Sequence, residues 1–197
     1  MTDKIIAVVG ATGAQGGGVA RAILNDMQGG FRVRALTRDI NSEKARALAA
    51  AGAEVVKADL DDLDSVKRAF AGAHGAYCVT FFWAHFSPEK ENAEARAMAQ
   101  AAKHAGVKHA IWSTLEDSRK FIPLSDNRMP TLMGKYKVPH FDSKGEMDAY
   151  FGEQGVPTEI EERVASADFG YGEQLFPDRG HAFLYPSRRH FQFTRRR

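Results

Sequence analysis

The chain has 197 residues, of which 44% are hydrophobic and 26% charged, and these values are typical of one ordinary soluble domain. Its formal net charge of +2 excludes the strongly basic character of many nucleic-acid-binding proteins. No apolar run approaches the roughly 20 residues that span a bilayer, and no signal-peptide pattern is present, so we expect a cytoplasmic protein without a membrane partner. With only one cysteine, we expect neither a disulfide nor a metal site.

Strand-like and helix-like segments alternate along the chain. In order they are a strand at 4–9, a helix at 16–27, a strand at 31–37, a helix at 42–51, a strand at 53–58, a helix at 61–71, a strand at 76–82, a helix at 88–105, a strand at 107–114, a helix at 140–154 and the start of a sixth strand at 156–158. Continuous apolar strands separated by helices are typical of parallel sheets. The sequence therefore predicts an α/β fold, a Rossmann-type doubly wound parallel sheet of about five to six strands with an irregular C-terminal tail.

A glycine-rich motif connects the first strand to the first helix. Its glycines, Gly10, Gly13 and Gly16, are three residues apart. Glycine permits a tight turn and a close approach of the backbone to a pyrophosphate, and the helix N-terminus offers free N–H groups and a favourable dipole. The motif alone is weak evidence, since glycines also serve packing, but a strand before it and a helix after it favour dinucleotide binding.

The end of the second strand bears on the choice between NADP and NAD. Sites for NAD usually have an acidic residue about 20 positions after the glycines, which binds the ribose 2′-hydroxyl. Here Thr37 is followed by Arg38, whose guanidinium is suited to a 2′-phosphate unless it is simply a solvated loop arginine. Asp39 keeps NAD(H) as the alternative. Asp59, after the third strand, either borders the adenine or caps the next helix.

Taken together, these motifs resemble the NmrA-like family, which are atypical members of the short-chain dehydrogenase/reductase superfamily. The resemblance covers about residues 4–158 and rests on the segments 10–16, 37–38, 52–59, 107–114 and 138–146. It implies a Rossmann domain followed by a smaller substrate or partner domain. The family includes NADP-binding redox sensors that regulate protein partners, transcription factors among them, and also true NAD(P)H-dependent reductases.

The resemblance also implies which residues contact the cofactor. The implied contacts are Gly10, Thr12, Gly13, Gln15 and Gly16 to the pyrophosphate, Arg38 to the 2′-phosphate, Asp59 and Leu60 to the adenine, and Val79, Thr80, Phe81 and Lys144 to the ribose and nicotinamide. The expected cofactor is NADP(H), with NAD(H) as the alternative.

The catalytic residues of the superfamily are only partly matched. Typical members use serine, tyrosine and lysine, the last two being four residues apart and so on one face of a helix. Ser113 and Lys144 match the serine and the lysine, but His140 occupies the tyrosine position. An imidazole transfers protons but is not a phenol, so His140 is either a proton donor or a helix-start residue without chemistry. Cys78 is expected to be a buried small hydrophobe rather than a nucleophile.

The composition of the chain changes after residue 158. Residues 1–158 hold eleven lysines and nine arginines, whereas residues 159–197 hold seven arginines and no lysine. We therefore expect residues 1–158 to form the NAD(P)-binding domain. Residues 159–197 are then an atypical tail, from a truncation or an altered gene end, that replaces the substrate domain. Residues 159–163 are not expected to continue a buried strand, and an uncovered sheet edge would favour a homo-oligomer. The alternative is a genuine variant whose arginine-rich end binds an acidic partner.

Three functions are compared on this basis. The first is an NADP(H)-binding redox sensor or regulatory domain with a protein partner, because the dinucleotide motif is present and the tyrosine is missing. The second is an NAD(P)H-dependent oxidoreductase that uses Ser113, Lys144 and His140. The third, a nucleic-acid module, is not favoured because only the arginine-rich end supports it.

Overall fold

Six parallel strands form one sheet in the computed structural model, which describes residues 4–26 and 28–162. In chain order the strands are β1 (Lys4–Val8), β2 (Phe31–Thr37), β3 (Glu54–Lys57), β4 (Gly75–Cys78), β5 (His109–Thr114) and β6 (Thr158–Glu162). Their order across the sheet is β3-β2-β1-β4-β5-β6, and all neighbouring pairs are parallel. The chain moves outward from β1 on one side and then from β4 on the other, which confirms the predicted Rossmann-type doubly wound sheet.

Six α-helices connect or flank the strands in this part of the chain. They are α1 (Ala14–Asn25), α2 (Glu43–Ala50), α3 (Leu63–Phe70), α4 (Pro88–Ala105), α5 (Pro139–Glu146) and α6 (Asp148–Glu153). Short 3₁₀ turns, Phe82–Ala84 and Ser118–Lys120, lie in the loops after β4 and β5. None of these described helices is long and apolar enough to cross a membrane.

Local sequence signals set the ends of several helices. The Ser42 hydroxyl accepts a hydrogen bond from the Ala45 N–H at 3.3 Å, which confirms Ser42 as the N-cap of α2. Helix α4 begins at Pro88, a residue suited to the first turn because the N–H that it lacks would have no helical partner there. The same helix ends before Gly106, which has a left-handed φ of 63°. These signals fix the first turn of α4 next to the loop that follows β4.

The main hydrophobic core lies between the sheet and the helices α3, α4 and α6. Its larger members include Phe70, Met98, Trp112 and Phe151, all of which are buried. The rings of Trp112 and Phe151 stack with centroids 5.0 Å apart, and the Trp112 indole N–H donates to Asp148 at 3.0 Å. Burial of each large apolar side chain contributes about 1.5–3 kcal/mol. This packing fixes β5 against α6 and so holds the carboxyl edge of the sheet in place.

The fourth strand is shorter than predicted. It ends at Cys78 rather than at residue 82, and its last residue paired with β1 is Tyr77, opposite Val8. Because β1 ends there and the chain turns into the glycine motif, the main chain after Cys78 has no strand partner on that side. The residues after β4 therefore leave the sheet and form a loop at its carboxyl edge.

The predicted helix at 140–154 is in fact two helices, α5 and α6, which are interrupted at Met147. Gly145, a weak helix former, precedes the interruption. A Cβ atom added to Gly145 would lie 2.9 Å from Asp117, so the loop after β5 presses against the helix here. The interruption therefore coincides with a close approach that only glycine allows.

Residues 159–163 were expected not to continue a buried strand, and the described part of that segment does form a strand, but an exposed one. Thr158–Glu162 forms β6 and pairs in parallel with Ala110–Thr114 of β5. β6 lies at the edge of the sheet, and its residues Glu159 and Ile160 are exposed. The Glu159 carboxylate therefore keeps its hydration although it belongs to a strand. The proposed domain boundary at residue 158 stays a prediction, and the atypical tail predicted from the sequence lies, beyond residue 162, outside the described residues.

Candidate cofactor site

The glycine motif forms the turn between β1 and α1. Gly10 has a left-handed φ of 62°, which favours glycine. A Cβ atom on Gly16 would lie 2.4 Å from the Val9 carbonyl oxygen, so this glycine allows the helix to pack against the strand. Gly13 is the N-cap of α1 and provides no side-chain cap, which leaves the first-turn N–H groups for another acceptor. Thr12, beside it, is half-buried. The turn therefore has the geometry of an anion site.

The Gln15 side chain points into the protein rather than into the open turn. Its Oε1 atom accepts hydrogen bonds from the Ser113 hydroxyl at 2.8 Å and from the Tyr77 hydroxyl at 3.3 Å. Gln15 thus ties the start of α1 to β4 and β5. Ser113 is only 2% exposed and donates its hydroxyl proton to this amide. The main-chain N–H of Gln15 is the part of the residue that is suited to a phosphate.

Arg38 lies at the carboxyl end of β2 and is exposed. Among the residues that the structure describes, none forms a hydrogen bond or an ion pair with its guanidinium. Asp39 is engaged locally instead, because its Oδ1 atom accepts a hydrogen bond from the Asn41 N–H at 2.9 Å in the turn before α2. The cation is therefore available to a ligand, while the neighbouring carboxylate already has a partner.

Asp59 and Leu60 follow β3 at the same edge of the sheet. Asp59 is exposed, and Leu60 is half-buried and packs against the core. Of the two roles considered for Asp59, that of a helix N-cap is wrong, because Asp62 caps α3 by accepting hydrogen bonds from the Asp64 and Ser65 N–H groups at 3.0 and 3.1 Å. The Asp59 carboxylate instead accepts a hydrogen bond from the Asp61 N–H at 3.1 Å, within the turn before α3. Its role beside an adenine stays a prediction.

The three residues after β4 have different environments. The Val79 side chain packs against Gly10, where a Cβ atom would lie 3.3 Å from it. Thr80 is buried, and its hydroxyl donates to Glu91 at 2.5 Å and accepts from Lys144 at 2.7 Å. Phe81 is 61% exposed. Only Phe81 therefore presents its side chain openly at this edge.

Lys144, on α5, is nearly fully buried at the carboxyl edge of the sheet. In addition to Thr80, its Nζ atom donates to the Ser113 carbonyl at 3.3 Å and lies 3.3 Å from a Glu91 carboxylate oxygen. It also lies 5.0 Å from the centre of the Trp112 ring system, within the range of a cation–π contact. Burial lowers the pKa of Lys144, and Glu91 opposes that shift. The structure thus places Lys144 next to the main chain of Ser113, while the catalytic roles of these two residues stay predictions.

His140 lies one turn before Lys144 in α5. Its ring centroid is 4.7 Å from that of Trp83 and 5.7 Å from that of Phe82, so the imidazole is part of an aromatic group. Burial, followed by the charge of Lys144, lowers the pKa of His140 to about 4. The ring is therefore neutral at pH 7, so His140 cannot act at that pH as a protonated imidazolium that gives a proton to a substrate.

Asp142 was not singled out in the sequence, yet it positions α5. Its buried carboxylate accepts hydrogen bonds from the N–H and the hydroxyl of Ser118, at 2.9 and 2.6 Å, and from the N–H groups of Lys137 and Val138, at 2.7 and 3.1 Å. These contacts join the loop after β5 to the first turn of α5. The position of Lys144, on the same short helix, depends on them.

A second unpredicted group, formed by His85, Glu91 and Glu94, lies beside Lys144. Its three ligand-type atoms lie within 4.8 Å of one another. The His85 Nδ1 atom accepts a hydrogen bond from the Ser87 N–H at 3.1 Å, so in the neutral ring the proton is on Nε2, which is 3.4 Å from a Glu91 oxygen. A metal ion bound to Nε2 would require the ring proton to move to Nδ1, where it would meet the Ser87 N–H, so the arrangement does not favour a metal ion.

The sequence contains a signal for Glu91 that periodicity reveals. Glu91 lies on the same face of α4 as Ala95, Met98 and Ala102, and all four residues are fully buried. A carboxylate on a buried apolar stripe needs a charged or hydrogen-bonding partner. The spacing alone identifies the buried carboxylate, but not the lysine that pairs with it.

Cys78 agrees with its prediction, since it is buried and burial raises its pKa to about 12.

Comparisons with known proteins show what this chain is similar to. Residues 2–166 match the profile of the NmrA-like family. FrzB, an NmrA-like family domain-containing oxidoreductase from Cladobotryum sp., is 43% identical over 144 residues, which are 71% of this chain and 42% of FrzB. NmrA, a negative transcriptional regulator, has been solved with NADP and with NAD, in each case with a TM-score of 0.65, 28% identity and coverage of 81% of this chain and 45% of NmrA.

The triphenylmethane reductase of Citrobacter sp. in complex with NADP(H) is a further structural neighbour. It has a TM-score of 0.65 and 25% identity, and the match covers 86% of this chain and 53% of the reductase. The chain thus spans about half the length of the relatives that it matches.

Proposed function

The chain belongs to the NmrA-like family, and on that premise we propose that it binds a dinucleotide, NADP(H) in preference to NAD(H), as a redox sensor or regulatory domain. The observation that carries the proposal is the uncapped N-terminus of α1 on its glycine turn, with the exposed Arg38 at the neighbouring strand end, whose guanidinium has no ion-pair partner among residues 4–26 and 28–162. A helix N-terminus suits the pyrophosphate, and a guanidinium suits the additional 2′-phosphate. The complexes of NmrA with NADP and of triphenylmethane reductase with NADP(H) support the same cofactor class.

Each part of the dinucleotide is assigned to residues at the carboxyl edge of the sheet. The pyrophosphate is assigned to Gly10, Thr12, Gly13, Gln15 and Gly16, the 2′-phosphate to Arg38, the adenine to Asp59 and Leu60, and the ribose and nicotinamide to Val79, Thr80, Phe81 and Lys144. For Gln15 the assignment is limited to the main chain, because its side chain is bonded to Ser113. For Thr80 the buried hydroxyl is already committed, so its main chain is the available part.

A regulatory role without turnover is favoured by the state of the two other candidate catalytic residues. His140 is neutral at pH 7, and the Ser113 hydroxyl is buried and donates to Gln15. Neither is arranged to give a proton to a substrate at neutral pH. A sensor would change its affinity for a protein partner on binding the cofactor, as suits a relative of a negative transcriptional regulator. A homo-oligomer and a cytoplasmic location remain predictions.

The second candidate function is an NAD(P)H-dependent oxidoreductase. It is favoured by the retention of Lys144 and by two exposed aromatic side chains, Trp83 beside His140 and Phe86 beside Trp83, which offer a surface for a flat substrate. Relatives such as FrzB are described as oxidoreductases.

Calorimetry and turnover separate the two functions. The protein is titrated with NADP⁺, NADPH, NAD⁺ and NADH, and NADPH consumption is then followed with quinone and aldehyde acceptors. The regulatory proposal expects binding and no acceptor-dependent consumption. Consumption that is reduced in Lys144→Ala would instead establish the reductase, and failure of the folded protein to bind any of the four dinucleotides would refute both.

A further inference from the structure

Glu91 and Lys144 are oppositely charged side chains buried next to each other. The Glu91 side chain is fully buried, and its Oε1 atom accepts the Thr80 hydroxyl proton at 2.5 Å while lying 3.3 Å from Lys144 Nζ. The Thr80 oxygen also accepts a hydrogen bond from Nζ at 2.7 Å. Because a hydroxyl has one proton to donate, its donation to Glu91 leaves its lone pairs for the lysine. The three groups thus fix one another's orientation.

We propose that Glu91 is the positioning residue for Lys144: it holds Nζ at the carboxyl edge of the sheet and provides the negative charge that keeps this nitrogen a cation when NADP(H) binds. The part of the proposal that concerns NADP(H) rests on the proposed function. The pairing of Glu91 with Lys144 does not depend on it. Glu91 acts through Lys144, because a fully buried carboxylate has no surface for the cofactor.

The charge balance around Nζ is consistent with this role. Burial lowers the pKa of Lys144, and the charges that oppose the shift are Glu91 and Glu94 on α4 and Asp148 on α6. His140 faces the lysine from its own helix but is neutral at pH 7. Burial and the charge of Glu91 raise the pKa of Glu94 to about 7, so Glu94 is partly protonated at neutral pH. Glu91 is therefore the principal counter-anion.

The hydrogen bonds of Nζ leave a place for a ribose hydroxyl. The contact with the Thr80 hydroxyl is short, at 2.7 Å, whereas those with the carbonyl oxygens of Thr80 and Ser113 are 3.4 and 3.3 Å. The two long contacts are weak and are the ones that a ribose hydroxyl would replace. The short contact and the ion pair with Glu91 would remain and keep the nitrogen in position.

Glu91→Gln tests the proposal because it removes the charge but keeps the side-chain volume and an oxygen that can accept from Thr80. The titration of Lys144 is followed by NMR on cofactor-free protein with lysine labelled with ¹³C at Cε, the signal being assigned with Lys144→Arg. We expect the pKa of Lys144 to fall by about one pH unit or more in Glu91→Gln. The affinity for NADPH should then weaken at a correspondingly lower pH than in the wild type. Glu89→Gln, an exposed position on the same helix, is the matched control and should leave both curves unchanged.

Glu91→Asp restores the charge and should bring the Lys144 titration back toward that of the wild type, which a purely structural role for Glu91 would not require. Identical Lys144 titrations in the wild type and a folded Glu91→Gln would overturn the proposal. If Glu91→Gln does not fold, NMR of the wild type with glutamate labelled with ¹³C at Cδ decides instead, because a Glu91 carboxyl group that is protonated while Lys144 is a cation also overturns the proposal. Absence of NADPH binding by the wild type would refute the proposed function, while the NMR titration would still decide the role of Glu91.

Discussion

Two glycines in the same helix, Gly16 and Gly18, should respond in opposite directions to alanine. A Cβ atom on Gly16 would lie 2.4 Å from the Val9 carbonyl oxygen and 2.6 Å from that of Gly10, and main-chain atoms of a strand and a tight turn cannot move away as a flexible side chain can. A Cβ atom on Gly18 would have no atom within 4 Å. Overpacking costs about 1–3 kcal/mol, whereas replacing an open helical glycine by alanine gains about 0.5–1 kcal/mol.

The assay is chemical unfolding of Gly16→Ala and Gly18→Ala alongside the wild type, with calorimetric titration of NADPH on each. We expect Gly16→Ala to lower the free energy of unfolding by about 1–3 kcal/mol, or the Tm by about 2–4 °C for each kcal/mol, and to weaken NADPH binding because the Gly10 turn must shift. Gly18→Ala should be at least as stable as the wild type and bind equally well. Equal stability of the two variants would refute the packing account of the glycine motif.

Further predictions concern a helix cap, the cysteine and His140. Asp62→Ala should lower the free energy of unfolding by about 1 kcal/mol, as judged by urea denaturation, and by more than Asp59→Ala, because Asp62 caps α3. Cys78 should not react with a thiol reagent such as DTNB at pH 8 until the protein is unfolded, since burial raises its pKa to about 12. Because the pKa of His140 is lowered to about 4 in the folded protein, its contribution to stability should be complete above about pH 6.5 and be lost progressively toward pH 4. The difference in free energy of unfolding between the wild type and His140→Phe should therefore change over this pH range, and a constant difference would contradict the burial of this ring.

Much of the sheet was predictable because its strands carry their own signals. β2 was predicted with its observed ends, Phe31–Thr37, and α4 with its observed ends, Pro88–Ala105. In α4 the proline at the start and the glycine after the end are local signals for where the helix begins and ends, and tertiary packing does not override them. The glycine motif likewise combines a turn requirement at Gly10 with a packing requirement at Gly16, and both are properties of the backbone.

The errors arose where an end depends on a distant partner. The length of β4 is decided by where β1 stops, and β6 forms because β5 offers it a free edge, although its acidic residues give it no apolar pattern. The interruption between α5 and α6 coincides with the approach of Asp117 to Gly145, a contact across a long loop. Such constraints cannot be found in a local window of sequence.

The candidate site was predictable to a similar extent. Its backbone elements and Lys144 follow from motif and resemblance, but the directions of side chains do not. Gln15 turns inward to Ser113, and Glu91 meets Lys144 only because α4 and α5 pack together. Burial also decides that His140 is neutral at pH 7, which the residue type alone left open.

The most direct test of the account is the affinity for NADPH and NADH of the wild type and of Arg38→Ala, measured by calorimetry. Arg32→Ala is the matched control, because Arg32 is an exposed arginine near the opposite end of the same strand. A charge-assisted contact with the 2′-phosphate contributes about 1.5–3 kcal/mol, so Arg38→Ala should weaken NADPH binding about 10- to 100-fold. It should leave NADH binding nearly unchanged, and Arg32→Ala should affect neither. Equal loss of both dinucleotides in Arg38→Ala, or tighter binding of NADH than of NADPH by the wild type, would contradict an NADP(H) site at this edge of the sheet.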